Sequence, residues 1–244
     1  MFDYFRFSLP RAVTEQLVER LDQLPSSPLT DEALAHLTAF QAANETAQVY
    51  VIYQGGAAAY AGKADGLAER LAEHLWKLRG RQGIDLAVVG FKALLLDENW
   101  STSANEGLLI NHFKARNECK WNGNGFGPKD PGKNRDGGEP SWFDNTFPVR
   151  EDYPVENIGD ETTVAAVLSQ IKAQVPYLYR YDVPAEVGKM PLNLGGMPRT
   201  ARALALCVAQ GLGAGWQLML FKNGFTLYRA NKVYENGTQL FPPL

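Results

Sequence analysis

Apolar residues recur at helical spacing in T-E-Q-L-V-E-R-L-D-Q-L (14–24), where Leu17, Val18, Leu21 and Leu24 share one face and P-S-S-P at 25–28 stops the helix. A second helix is expected from Thr30, a capping hydroxyl followed by Asp31 and Glu32 in the first turn, to about Asn44. Residues 48–62 then read as two short strands joined by the Gly55-Gly56 turn, with Tyr53 pointing away from Tyr50 by strand alternation. Leu67, Leu71, Leu75 and Leu78 form a helical stripe that ends at Gly80. Residues 84–96, apolar throughout and β-branched early, suit a buried central strand, and 103–115 read as a helix. The predicted order is β-β-α-β-α.

From 120 to 148 the pattern gives way to a long segment rich in Gly, Pro and Asn, the kind of loop that is functional or disordered inside a compact domain. Trp121, Phe126, Trp142 and Phe143 are expected to be buried and to order it. Regular patterns return past 160. Residues 162–175 predict a helix capped by Thr162 and stopped by Pro176, and 198–212 predict another, with Pro198 near its first turn. Asn223-Gly224 between two apolar runs predicts a hairpin with a type I′ turn. There is no internal repeat.

A chain of 244 residues buries about 70–75 % of its unfolded surface and needs neither disulfides nor a structural metal to fold. A net charge of −3 and a pI near 5.7 provide no global attraction to nucleic acid, so any DNA-binding face has to be local. The widely separated Cys119 and Cys207 fit a reducing compartment and argue against a thiolate metal site. The start M-F-D-Y-F-R-F-S-L-P lacks the layout of a signal peptide, and no apolar run is long enough to span a membrane. A soluble cytoplasmic protein without membrane partners is expected.

The chemistry is concentrated between 48 and 135. Q-V-Y at 48–50, a second tyrosine ten residues on and Y-A-G-K at 60–63 resemble the G-I-Y…Y-I-G signature of the GIY-YIG nuclease superfamily. Arg70 and His74 follow on one helical face, where that family places an arginine. E-G-L-L-I-N-H-F (106–113) resembles its E-x-x-L-I-x-x-F, and Trp121-Asn122 its closing W-N. The Glu106-to-Asn122 spacing is a few residues longer than in the restriction enzymes of that family and lacks their proline, so Asn111 and Asn117 stay as alternatives to Asn122. G-F-G-P-K-D-P-G-K-N-R (125–135) is similar to the G-F-G-x-x-D-P-G-x-x-R loop of a small branch of type II restriction endonucleases cutting CCGCGG, which S-W-F-D at 141–144 also fits. The resemblance covers roughly residues 1–150.

It implies an α+β fold with an N-terminal helical arm (1–45) and a GIY-YIG core (46–150) carrying a DNA-contacting loop at 120–148; the patterns past 160 add a C-terminal helix and hairpin extension (151–244). It implies Glu106 as the protein ligand of Mg²⁺, with Mn²⁺ as a substitute. One carboxylate completed by phosphate and water is normal for that ion. Arg70 would contact phosphate and neutralise transition-state charge. Tyr50 would be the general base, either as a phenolate held by cations or through late proton transfer. Tyr60 would position water or phosphate, and His74 would bond a tyrosine or move a proton. Gly62 would allow close approach at the turn into the helix, and Lys63 just ahead of that helix would favour phosphate.

Lys114, Arg116, Lys120, Lys129, Lys133 and Arg135, opposed only by Glu118 and Asp130, are the local basic stretch for DNA, against the alternative of a solvated face. Cutting both strands of a palindrome requires two sites, hence a C2 homodimer, and a restriction enzyme is accompanied by a cognate methyltransferase. The competing readings are a repair, mobile-element or toxin nuclease, a DNA-binding module with a dead site, and an α+β domain with structural tyrosines. The absence of a zinc finger or helix-turn-helix motif disfavours the first, and the filled polar positions disfavour the second.

Overall fold

The structure, a computed structural model, describes residues 8–42, 47–96, 102–127, 132–133 and 136–243. The chain forms two compact units: Met1–Trp76 with Asp85–Gly127, and Lys77–Ile84 with Pro128–Leu244.

The first unit runs α1 (Leu9–Gln23), β1 (Ser27–Pro28), α2 (Asp31–Ala42), β2 (Ala47–Gln54), β3 (Ala57–Ala64), α3 (Leu67–Arg79, whose last turn passes into the second unit), β4 (Val89–Leu96) and α4 (Thr102–Ala115). From β2 onward this is the predicted β-β-α-β-α order. The strands form an antiparallel sheet in the order β1-β4-β2-β3. Gly55 and Gly56 take φ of 57° and 82°, the left-handed pair that a tight hairpin turn with the twist of its strands requires. Thr30 accepts a bond from Ala33 N, as a cap should.

The predicted strand over 84–96 starts late. Asp85 accepts from Ala87 N at 2.9 Å, and residues Leu86–Val88 wind into a short 3-10 turn before β4 begins. The P-S-S-P stop also contributes a strand, since Ser27 and Pro28 pair with Phe91 and Gly90 at the sheet edge, where proline is tolerated. Strand alternation sends Val49 and Val51 to one face, where they join Val18 and Leu21 of α1 and Leu109 and Phe113 of α4 in a buried cluster. Tyr50 and Ile52 face the other side.

The second unit contains α5 (Trp142–Thr146), β5 (Glu161–Thr163), α6 (Val164–Gln174), β6 (Leu178–Tyr181), α7 (Ala185–Gly188), β7 (Pro191–Asn193), α8 (Ala201–Leu212), β8 (Trp216–Phe221), β9 (Gly224–Arg229) and β10 (Gly237–Phe241). Its main sheet has the order β10-β8-β9-β6, with β6 parallel to β9, and β5 pairs with β7. Val164, Leu168 and Ile171 of α6 and Leu204 and Val208 of α8 pack with Leu218, Phe225 and Leu227 of the sheet.

The cap of α6 is Thr163, whose hydroxyl accepts from Ala166 N at 3.3 Å, while Thr162 is paired with Leu192 in β5. Helix α8 starts at Ala201 behind the cap Thr200, so Pro198 precedes it. The hairpin at 222–223 forms, yet neither Lys222 nor Asn223 takes the left-handed φ of a type I′ turn. Gly224 instead makes room for β6, because a Cβ there would collide with the Leu178 carbonyl. Trp142 is 44 % exposed whereas Phe143 is fully buried. Ser141 caps the short α5, and the buried Arg81–Asp144 ion pair at 2.7 Å fixes which side turns inward.

Candidate active site

Tyr50 lies mid-strand in the inner strand β2, fully buried, directly opposite Gly62 of β3. A methyl group on Gly62 would sit 2.6 Å from the Tyr50 hydroxyl oxygen and 2.7 Å from Cζ. The glycine therefore serves the tyrosine lying across it, within the strand, and not a turn into the helix. Tyr60 reaches the same face from the diagonal position, with ring centroids 6.1 Å apart.

Helix α3 covers this face. Its first N–H groups are taken by two glutamines: Gln48 Oε1 accepts from Leu67 N at 3.1 Å, and Gln41 Oε1 accepts from Ala68 N at 2.7 Å. Gln41 Nε2 donates to Gln48 Oε1, which closes the set. So anchored, the helix presents Arg70 and, one turn on, the buried His74 to the Tyr50 hydroxyl. The Tyr50 oxygen is 2.8 Å from His74 Nε2, and the Arg70 guanidinium, whose charge acts on the same oxygen, pairs with Glu73 at 2.5 Å. Burial, with Tyr60 adding to it, raises the Tyr50 phenol above its ordinary range, and Arg70 pulls the other way. Burial disfavours the Arg70 cation, but Glu73 and Tyr50 outweigh it and Arg70 is held charged.

The loop after α4 runs along the free edge of β3. Cys119 N donates to Ala58 O and Trp121 N to Ala59 O, at 2.8 and 3.0 Å. Asn122 then imitates a strand residue with its side chain: Oδ1 accepts from Ala61 N and Nδ2 donates to Ala61 O, both at 2.8 Å. This delivers Phe126, fully covered, onto the site. Its ring stacks on His74 at 4.8 Å, meets Tyr60 edge-on at 5.2 Å and is backed by Trp121 at 4.8 Å. Asn122→Ala leaves both Ala61 backbone groups without their partner, and is expected to cost about 2–4 kcal/mol, read as a lower urea midpoint at unchanged m-value.

The sequence model of the Eco29kI GIY-YIG domain matches residues 39–175, more than half of the chain. The chain belongs to the Eco29kI family of GIY-YIG restriction endonucleases. Eco29kI itself cuts CCGCGG. No curated protein was found to match the chain. The Eco29kI match takes in Tyr50, Tyr60, Arg70, His74, Glu106 and Asn122, and ends before β6.

Within this Eco29kI domain, the structure brings together Tyr50, Tyr60, Arg70 and His74, and latches Asn122 to the strand that carries Tyr60. Asn111 and Asn117 are exposed, whereas Asn122 is buried. Lys63 is placed elsewhere. Strand β3 continues to Ala64, so Lys63 is a strand residue opposite Val49, on the face away from Tyr50, and does not stand just ahead of α3. Glu106 falls on α4, and its side chain lies outside the described residues. Lys114, Arg116 and Lys120 are exposed in the first unit, with Arg116 3.6 Å from Glu118. Lys133 belongs to the second unit and pairs with Asp182 at 2.9 Å, while Lys129 and Arg135 lie outside the described residues.

Sequence reasoning missed the part played by Gln41, Gln48 and Phe126. A signal for Gln48 was present, a long polar side chain inside an otherwise apolar strand. Nothing local marked Gln41, because its partner is the start of a helix 27 residues away.

Proposed function

We propose that this chain is a Mg²⁺-dependent type II restriction endonuclease that hydrolyses phosphodiester bonds in a double-stranded palindrome, with CCGCGG the site to test first because Eco29kI cuts it. The observation that carries the mechanism is the 2.8 Å contact between the Tyr50 hydroxyl and His74 Nε2. A phenol raised by burial is protonated at neutral pH, so a free phenolate is not the resting base. The contact supplies the alternative. The Tyr50 oxygen is covered in the free protein and opens to water once a bound phosphate draws Arg70 outward. As that water attacks phosphorus, its proton passes to the Tyr50 oxygen while the Tyr50 proton passes to Nε2 of a His74 whose other nitrogen carries the ring hydrogen. The P–O3′ bond breaks, and the leaving oxygen takes a proton from solvent. Stacking by Phe126 fixes the imidazole plane for the transfer.

Arg70 completes this arrangement. Its side chain is 32 % exposed beside a Tyr50 with no exposed surface, so it forms the outer end of the hydroxyl cluster. An incoming phosphate competes with Glu73 for the guanidinium, and Arg70 then neutralises charge on the phosphoryl oxygens. Tyr60 lines the same wall, oriented by Phe126 and with Gly127 passing beside its hydroxyl.

GIY-YIG nucleases generally use a divalent metal. Among the described residues no group of three or more His, Cys, Asp or Glu side chains is placed to hold an ion. Glu106 would hold such a hard ion as its protein carboxylate, with phosphate and water completing the shell. When bound, the metal supplies Lewis-acid stabilisation of phosphoryl and leaving-group charge. Two copies related by a two-fold axis would cut the two strands, and a methyltransferase of the same specificity would protect the host. No helix among the described residues is long and apolar enough to cross a membrane.

The decisive experiment is digestion of plasmid DNA with and without CCGCGG sites in the presence of Mg²⁺. Discrete fragments from the site-bearing plasmid are expected, together with their loss on adding a chelator and in Glu106→Gln, which is expected to reduce the rate at least about 1000-fold. A smear would mean a nonspecific nuclease. Intact DNA with a mobility shift would mean a binding protein.

A further inference from the structure

We propose that Asp136 is a positioning residue, which fixes Lys133 of the basic stretch against the C-terminal sheet and thereby sets DNA affinity and discrimination. This rests on the reading of the basic stretch as DNA-contacting, and it gives a role to strands β6 and β9, which lie beyond the Eco29kI match.

Asp136 directly follows the D-P-G-K-N-R motif, yet its side chain is only 4 % exposed. Both carboxylate oxygens are engaged from the sheet. Oδ1 is ion-paired with Arg180 of β6, itself 12 % exposed, and Oδ2 accepts from the Tyr228 hydroxyl of β9 at 2.7 Å. Arg180 is in register with Thr226, so Tyr228 stands two residues along on the same face. The two strands thus grip one loop carboxylate from a shared surface, across 44 and 92 residues of sequence.

Further contacts pin the same loop. Asp136 N donates to Lys133 O at 3.2 Å, which turns the chain so that the Lys133 ammonium lies 2.9 Å from Asp182 and 4.6 Å from the Tyr228 ring centre. Gly137, at φ 73°, packs flush on the Tyr234 ring, where any Cβ would collide, and Asn236 Nδ2 donates to Gly137 O. Tyr228 therefore does two jobs: its hydroxyl holds Asp136 and its ring face supports Lys133. The main core of this unit, built from α6, α8 and the sheet, does not include Asp136. A buried carboxylate is costly unless fully paired, and such a pairing is best suited to fixing one arrangement of the chain. What it fixes here is the place where Lys133, 59 % exposed, is displayed.

The test uses the full chain and duplex oligonucleotides carrying CCGCGG or a single-mismatch site. Binding is read by fluorescence anisotropy with Ca²⁺ replacing Mg²⁺, and cleavage by single-turnover rates at saturating protein. For Asp136→Asn and Tyr228→Phe, affinity is expected to fall about tenfold or more and discrimination to fall with it, while the saturated rate stays within about threefold. Direction is informative, because removing the Asp136 charge by bulk electrostatics alone would tighten DNA binding. Tyr228→Phe keeps the Arg180–Asp136 pair and the ring, and so carries the test if Asp136→Asn does not fold.

Unchanged affinity and discrimination in both variants would overturn the proposal, as would a saturated rate that falls as far as affinity does. A wild-type protein that neither binds nor cuts either duplex would overturn the functional reading itself, a result distinct from an active wild type with indifferent variants.

Discussion

Tyr50→Phe is expected to lower the single-turnover cleavage rate by about 1000-fold or more while DNA affinity stays within about threefold of wild type. The substitution removes one oxygen and leaves the ring that fills the space over Gly62. That oxygen is the part of Tyr50 that meets His74 Nε2 and feels the Arg70 charge. Without it no path leads from an attacking water to the imidazole, and general-base catalysis of this kind contributes about 10²–10⁴-fold. The fold loses little, since an intramolecular hydrogen bond contributes about 1 kcal/mol net. A variant that cleaves at the wild-type rate would remove Tyr50 from the mechanism.

The same variant has a pH signature. Burial raises the Tyr50 pKa above the ordinary value of the unfolded chain, so the neutral phenol is preferred in the fold. The stability this contributes is fully present below about pH 10 and is lost as pH climbs through the raised folded value. Tyr50→Phe has no such proton to lose, and its alkaline unfolding is expected at higher pH than wild type. Tyr53, held up to about 12 by burial, and Tyr177, raised in the same direction, keep their own contribution in both proteins.

Gly62→Ala is expected to reduce cleavage by at least about 100-fold and to destabilise the protein by about 1–3 kcal/mol. The new methyl would stand 2.6 Å from the Tyr50 oxygen, 2.7 Å from Cζ and 3.0 Å from the Tyr60 ring. Tyr50 has no exposed surface into which to retreat. Either its ring tilts away from His74 and Arg70, or β3 separates from β2 at the pair Tyr50–Gly62. The first breaks the proton path and the second misplaces Tyr60, so activity falls in both cases. Urea denaturation together with the single-turnover rate would check this. A variant as active and as stable as wild type would show that the close approach across β3 is not needed.

Much of this site was legible because its signals are local. The Gly55-Gly56 turn, the alternation that separates Tyr50 from Tyr53 and the helical spacing of Arg70 and His74 each need only neighbouring residues to be read. Expectations failed where a local rule met a distant partner. Gly224 looked like half of a hairpin turn but answers to Leu178 of β6, and Trp142 looked like core until the Arg81–Asp144 pair decided which side of α5 faces inward. The expectation of Lys63 at the helix start fails because pairing with Gln48 and Val49 carries β3 on to Ala64, which no local pattern shows.

The sequence by itself determined the β-β-α-β-α order and the kinds of side chain available for chemistry, because hydrophobic periodicity and turn preference act over a few residues. Only the tertiary structure decided that the Tyr50 hydroxyl meets His74, that Asn122 is spent on the edge of β3, and that Asp136 is buried against β6 and β9. These contacts join residues 24, 61, 44 and 92 positions apart. Such separations are set by strand register and by the burial of polar groups that must find partners, and no local pattern in the chain encodes either.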